Sequence, residues 1–174
     1  MAGHNKWSKI KRQKEKTDAE KSKLFGKLVK VISLEAKRSG GDENSPGLRT
    51  AINKAREANV PNENIERAIK KAGEAGMLEE ALYEFYGPGG AAVLVETLTT
   101  NKNRTVQEIK HILGKHGLAL SNPGSALWAF EKTAEGWVPK TNLKIDATGE
   151  AELFSLLVEL EEHDDVQEVY TNVG

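Results

Sequence analysis

The spacing of apolar residues changes once along the chain, across the glycine-rich stretch 76–90, and that change requires two differently built halves. Before it, apolar side chains recur every three or four residues in three separate runs. Thr17-Asp18-Ala19-Glu20 has the form of a capping box, and Leu24, Phe25, Leu28, Val31 and Ile32 follow at helical spacing. This predicts a helix over about 18–39, stopped by Gly40-Gly41. Ser45-Pro46 supplies an N-cap and a proline at the first helical position of a second helix, whose stripe is Leu48, Ala51, Ile52, Ala55 and Ala58. Val60-Pro61-Asn62 breaks it, and Ile65, Ala68, Ile69 and Ala72 mark a third. Short amphipathic helices bury their stripes against one another, so residues 1–75 read as a basic arm and a three-helix bundle.

In the second half, 76–90 reads as a linker that ends in Gly87-Pro88-Gly89-Gly90. A strand at 91–99 follows, then a helix opened by the capping-box pattern Thr105-Val106-Gln107-Glu108 and closed at Gly117. Strands at 126–132 and 137–145 meet in a Glu135-Gly136 turn, with Pro139 requiring an edge or a bulge. A helix over about 149–163 and a strand at 166–171 complete the order β-α-β-β-α-β. That order predicts a ferredoxin-like sandwich over 91–174, two helices on one face of a four-stranded antiparallel sheet, and makes the chain α+β. RNA-recognition modules share the order and stack bases on open-face aromatics. Trp128, Phe130, Trp137 and Tyr170 are available here, but Val93, Val95 and Val169 are aliphatic. Glu159, Glu161, Glu162, Asp164 and Asp165 also crowd the last helix and its turn, so this domain is expected to support, orient or contact protein.

Charge divides along the same line. Up to Ala75 there are 18 Lys/Arg against 10 Asp/Glu, a balance of +8; beyond it 7 face 16, a balance of −9. The densest strip is 1–38, where twelve basic residues meet four acidic ones. Trp7 and Ile10 are the only large apolar groups in Gly3–Lys16, so this arm settles on a partner or on its own domain. Its cations, Lys6, Lys9, Lys11, Arg12, Lys14 and Lys16, are candidate phosphate contacts. Lys23, Lys27, Lys30 and Lys37 fall on one edge of the first helix and extend that set, giving one surface from Lys6 to Lys37. Trp7 either stacks on a base or tucks into the bundle. Lys102 and Arg104, beside a helix N-terminus, form a second candidate phosphate site, with a plain polar turn as the alternative.

Several classes of chemistry have no support. With no cysteine, disulfides, thiolate zinc sites and cysteine nucleophiles are excluded. His4, His111, His116 and His163 lack metal-ligand spacing, and Gly87–Gly90 precedes a strand instead of joining strand to helix, which makes it a turn and not a phosphate loop. No nucleophile, base and orienting group recur together, so the expectation is no enzyme activity, no metal and no cofactor. No apolar run approaches the roughly 20 residues of a membrane span, and the basic N-terminus lacks the apolar segment of a secretion signal. A cytoplasmic protein without membrane contact is expected, with a monomer favoured.

The segments GHNKWSKIKRQK, KLFGKLVKVI, GLRTAINKAREANVPNENIERAIKKA, YEFYGPGGAAVLVETLTTNKNRTVQEIKHILGKHG and DDVQEVYTN together resemble the YebC/PmpR family over nearly the whole chain. The resemblance implies a DNA-binding transcriptional regulator or a translation factor of the TACO type, acting at the ribosome on difficult stretches such as consecutive prolines. It points to Gly3, His4, Lys6, Trp7, Lys9 and Lys11, and to Asn101, Arg104 and Thr105, with Asn5 where the family usually has serine. Family members carry a further α/β domain after the segment matching Phe130-Glu131-Lys132 and resume near Trp137-Val138-Pro139. Only Thr133–Gly136 stands between those segments here, which gives a short form with two domains where the family has three. The leading expectation is a ribosome-associated factor that binds ribosomal or transfer RNA through its basic N-terminal region. A duplex-DNA regulator is the alternative, with helices two and three imitating a helix-turn-helix and Arg67 as the main base reader. A protein-binding module is the third reading.

Overall fold

The computed structural model describes residues 6–74 and 76–174, so Gly3 and His4 lie outside the described residues. The chain forms two compact units. One spans 16–79. The other joins 80–174 to the N-terminal segment that ends at Glu15, so the basic arm groups with the α/β half and not with the bundle that follows it in sequence.

The bundle unit holds three helices, α2 (Asp18–Ser39), α3 (Pro46–Glu57) and α4 (Asn62–Lys70). The expected capping box is present: the Glu20 amide donates to Thr17 Oγ1 (3.2 Å) and the Thr17 amide to Glu20 Oε2 (2.8 Å). Gly40, at φ 63°, ends α2 in the left-handed conformation and returns its N–H to the Ala36 and Lys37 carbonyls. Ser45 occupies the N-cap position before Pro46, but its hydroxyl is buried without a partner. The stripes read from the sequence converge: Ile32, Ala36, Leu48, Ala51, Ile52, Ala55, Val60, Ile65, Ala68 and Ala72 form one buried cluster.

In the α/β unit the arm is itself helical, α1 (Lys6–Gln13). The remaining elements are β1 (Glu79–Tyr86), β2 (Ala92–Thr99), α5 (Lys102–Lys115), β3 (Phe130–Thr133), β4 (Gly136–Pro139), α6 (Ala147–Glu162) and β5 (Val166–Thr171). The α+β class holds, a helical bundle followed by a mixed α/β unit, while the strands differ from the sequence expectation. Residues 79–86, read as part of a linker, are an edge strand. Its aromatic residues suit a pleated surface, and Tyr83 and Phe85 point to the helix-covered side. The main sheet has three strands in the order β1-β2-β5, and β3 pairs with β4 in a separate hairpin instead of widening it. The strand expected at 126–132 starts only at Phe130 after a short 3₁₀ turn, and the one expected at 137–145 ends at Pro139, which lacks the amide a ladder needs.

Both faces of the main sheet are covered. On β2, Val93 and Val95 face the core formed with Phe85, Ile109, Leu113, Leu153, Leu156, Leu157 and Leu160. Ala92 and Leu94 face a second cluster with Ala126, Ala129 and Phe130, flanked by Tyr86, Trp137 and Tyr170. The hairpin and its preceding turn therefore occupy the sheet face on which an RNA-recognition module would leave its aromatics open. Phe130 is buried, Trp137 and Tyr170 are half-buried, and only Trp128 stays exposed, at 63%.

Candidate nucleic-acid interface

The basic arm is divided by its own helical geometry. Trp7 is 2% exposed within the main α/β core, its ring tilted against Phe154 with centroids 5.4 Å apart. It is thus neither free to stack on a base nor inserted into the bundle. Lys6 pairs with Glu150 on α6, while Lys11 bridges Glu161 (2.9 Å) on α6 and Glu168 on β5. Burial opposes the Lys11 charge, but Glu168 and Glu161 together outweigh it, so its pKa is raised above the ordinary lysine value. Glu168 also lies directly across from Glu96 on β2, an unfavourable like-charge pairing. Lys11 offsets one carboxylate, and Lys132, 3.0 Å from Glu96, offsets the other. Lys132 at the same time covers the Trp137 ring at 4.8 Å.

The remaining arm cations, Lys9, Arg12, Lys14 and Lys16, are exposed. In the bundle unit Lys23 and Lys37 are exposed and Lys27 and Lys30 half-buried, so the lysine edge of α2 is open at its ends and partly covered in its middle. The surface expected to run from Lys6 to Lys37 is distributed over two units, its arm cations up to Lys14 in one and Lys16 with the α2 lysines in the other. On α4, Arg67 is engaged by Glu63 at 2.9 Å.

The second candidate site is neutralised from within. Helix α5 starts at Lys102, three residues before the expected box, because Asn101 is the cap: its side chain accepts the Arg104 amide at 3.1 Å. Arg104 donates to Asp165 Oδ2 at 2.9 Å, and the Thr105 hydroxyl donates to the same oxygen at 2.8 Å. The hydrogen bond and charge of Asp165 raise the Arg104 pKa further. Asp165 and Glu108 beside the guanidinium offset its charge toward an incoming phosphate, although Arg104 and Lys102 are both exposed there.

Sequence spacing did not reveal that Glu108, His163 and Asp165 offer ligand atoms within 4.8 Å of one another, because they come from α5 and from the turn after α6. His163 Nδ1 accepts the Asp165 amide at 3.1 Å, which leaves the ring proton on Nε2, directed at Glu108. Since Arg104 already supplies the positive charge, this group is an internal polar clasp that ties α5 to the α6–β5 turn.

A family model described as the TACO1/YebC protein N-terminal domain matches residues 5–75, and one described as the TACO1/YebC second and third domain matches 78–136. The chain belongs to the TACO1/YebC family. A TACO1/YebC relative from Desulfosudis oleivorans, a "Probable transcriptional regulatory protein", is 48% identical over 177 residues, covering 99% of this chain and 72% of its own. Another of the same name from Pelotomaculum thermopropionicum is 37% identical over 238 residues, covering 99% and 98%. A crystal structure of a conserved hypothetical protein from Aquifex aeolicus superposes with a TM-score of 0.84 at 33% identity over 95% of both chains, so the TACO1/YebC fold is a solved one. The relatives carry the names of regulators and not of enzymes. Among the described residues no helix is long and apolar enough to cross a membrane.

Proposed function

We propose that the chain is a cytoplasmic nucleic-acid-binding regulatory factor, and that regulation of transcription through duplex DNA is its primary role. The observation that carries this reading is the shared name of its relatives, "Probable transcriptional regulatory protein", over nearly the full length of this chain. The exposed cations of α1 and α2 are the proposed contacts: Lys9, Arg12, Lys14 and Lys16 on and after the arm, and Lys23 and Lys37 on the bundle, with Lys27 and Lys30 between them. These are phosphate-contacting residues, which position a duplex without reading its sequence.

One observation favours structured RNA, such as ribosomal or transfer RNA, as a second reading. The exposed side chains of α4 are Asn62, Glu63, Glu66, Arg67 and Lys70, and the one guanidinium among them is already paired. Such a helix is a poor base reader, whereas shape recognition of folded RNA needs no base reader. Competition distinguishes the two. Footprinting on one promoter that survives excess transfer RNA supports the DNA reading; its loss to transfer RNA, with crosslinks to ribosomal or transfer RNA in cell extract, replaces it with the ribosome-associated one.

We also infer that the β3–β4 hairpin marks where longer relatives carry an additional domain. The match to the second-and-third-domain model stops at Gly136, on that hairpin's turn. The Pelotomaculum alignment runs over 238 positions against a chain of 174 residues, leaving more than 60 positions of the relative unmatched. Contacts that relatives make through such a domain are then missing from this chain's repertoire.

A further inference from the structure

Resting on the nucleic-acid reading, we propose that α1 is a displaceable clasp: docked on the α/β unit it withholds Lys6 and Lys11 from a polyanion, and a nucleic acid that captures those two cations releases the helix. At about 100° per residue, Trp7 and Lys11 share one side of α1, while Lys9 and Arg12 lie on the other. In the docked helix Lys6 and Lys11 pair with carboxylates of the α/β unit, while Lys9 and Arg12 are exposed. Its seat is built of the groups a polyanion would replace: Glu150, Glu161 and Glu168, three carboxylates from two elements, hold Lys6 and Lys11 as successive phosphates would.

Two further observations make this seat poised. Glu168 opposes Glu96 across β2 and β5, so the seat favours a cation at Lys11's position while nothing else competes for it. Against docking, the Trp7 indole N–H is buried without an acceptor, a deficit that release into water removes. Residues 14–17, which join α1 to α2, lie outside both helices and supply the joint about which α1 would leave.

The test compares the wild-type chain with Glu161→Gln/Glu168→Gln, which weakens the seat, using a 20-base-pair duplex DNA and a transfer RNA as probes. Glu131→Gln/Glu135→Gln removes two exposed carboxylates elsewhere and controls for net charge. Amide hydrogen exchange over residues 6–13 reports docking. The clasp predicts faster exchange in the seat variant and an affinity for the bound probe about three- to ten-fold tighter than wild type. It also predicts a log-log salt dependence steeper by about 1–2, the contribution of two freed lysines. The control variant keeps the wild-type slope, and adding the probe to wild type speeds exchange over α1. Glu150→Gln, which unpairs Lys6 alone, is expected to steepen the slope by about 1 should the double variant fold poorly. Faster exchange with unchanged affinity and slope overturns the clasp and leaves the proposed function standing, as does a probe that slows exchange over α1. Release by neither variant overturns it as well. If neither probe binds the wild-type or the released chain, the nucleic-acid reading falls and the clasp falls with it.

Discussion

Trp7 contributes in two opposing ways at the residue scale. Its burial fills the α/β core, and its indole N–H is stranded there without a partner. Trp7→Ala is therefore expected to destabilise the α/β unit by about 3–5 kcal/mol in chemical denaturation. Trp7→Phe loses some contact area but also removes the unmet N–H, worth about 1–3 kcal/mol, so its cost should be less than half that of alanine. Equal losses would show that the indole nitrogen is satisfied. Lys11 gives a pH prediction with a definite sign. Its folded pKa is raised, so its contribution is fully present below the ordinary value of 10.5 and disappears as pH rises through the folded value. The fluorine NMR signal of 5-fluorotryptophan at Trp7, identified with Trp7→Phe, should stay unchanged from about pH 7 to 9 and shift only above about 10.5. A shift near neutral pH would mean that other groups hold the arm. The sequence showed that Trp7 needed a seat, since Gly3–Lys16 has no other large apolar group but Ile10. It did not show which seat, because Glu150, Glu161 and Glu168 are more than a hundred residues away.

The elements whose signals are local were readable, and those that depend on distant partners were not. Helix α2 was placed over its whole length because Thr17, Glu20 and Gly40 carry its start and stop chemistry within the segment itself. Thr17→Ala should lower the stability of the bundle unit by about 1 kcal/mol, as thermal unfolding would report. Strand β1 was missed because glycines flank it and because Glu84 interrupts its apolar pattern. That carboxylate is 4% exposed: Oε2 accepts the Gly124 amide, Oε1 is buried without a partner, and the Ser121 amide bonds the Glu84 backbone carbonyl at 2.8 Å. Only the fold brings residues 121–125 to that strand. The Glu135-Gly136 turn, by contrast, was legible. Gly136 sits at φ 113°, and a side chain there would collide with the Tyr170 hydroxyl. Gly136→Ala should destabilise the α/β unit by at least about 1–2 kcal/mol, and a neutral outcome would show that the hairpin shifts freely against β5.

For the molecule as a whole, the sequence revealed the separation of charge but not how much of that charge is used internally. Lys6 and Lys11 serve the α/β unit, Arg104 serves Asp165, and Arg67 serves Glu63. The exposed cations of α1 and α2 are the proposed contacts for an external anion. The most direct measurement is the affinity for duplex DNA or transfer RNA from about 50 to 200 mM salt. Several simultaneous phosphate contacts predict a log-log slope of several units, reduced when Lys9, Arg12, Lys14 and Lys16 are changed to Glu. A flat salt response, or a slope that those substitutions leave untouched, would contradict it.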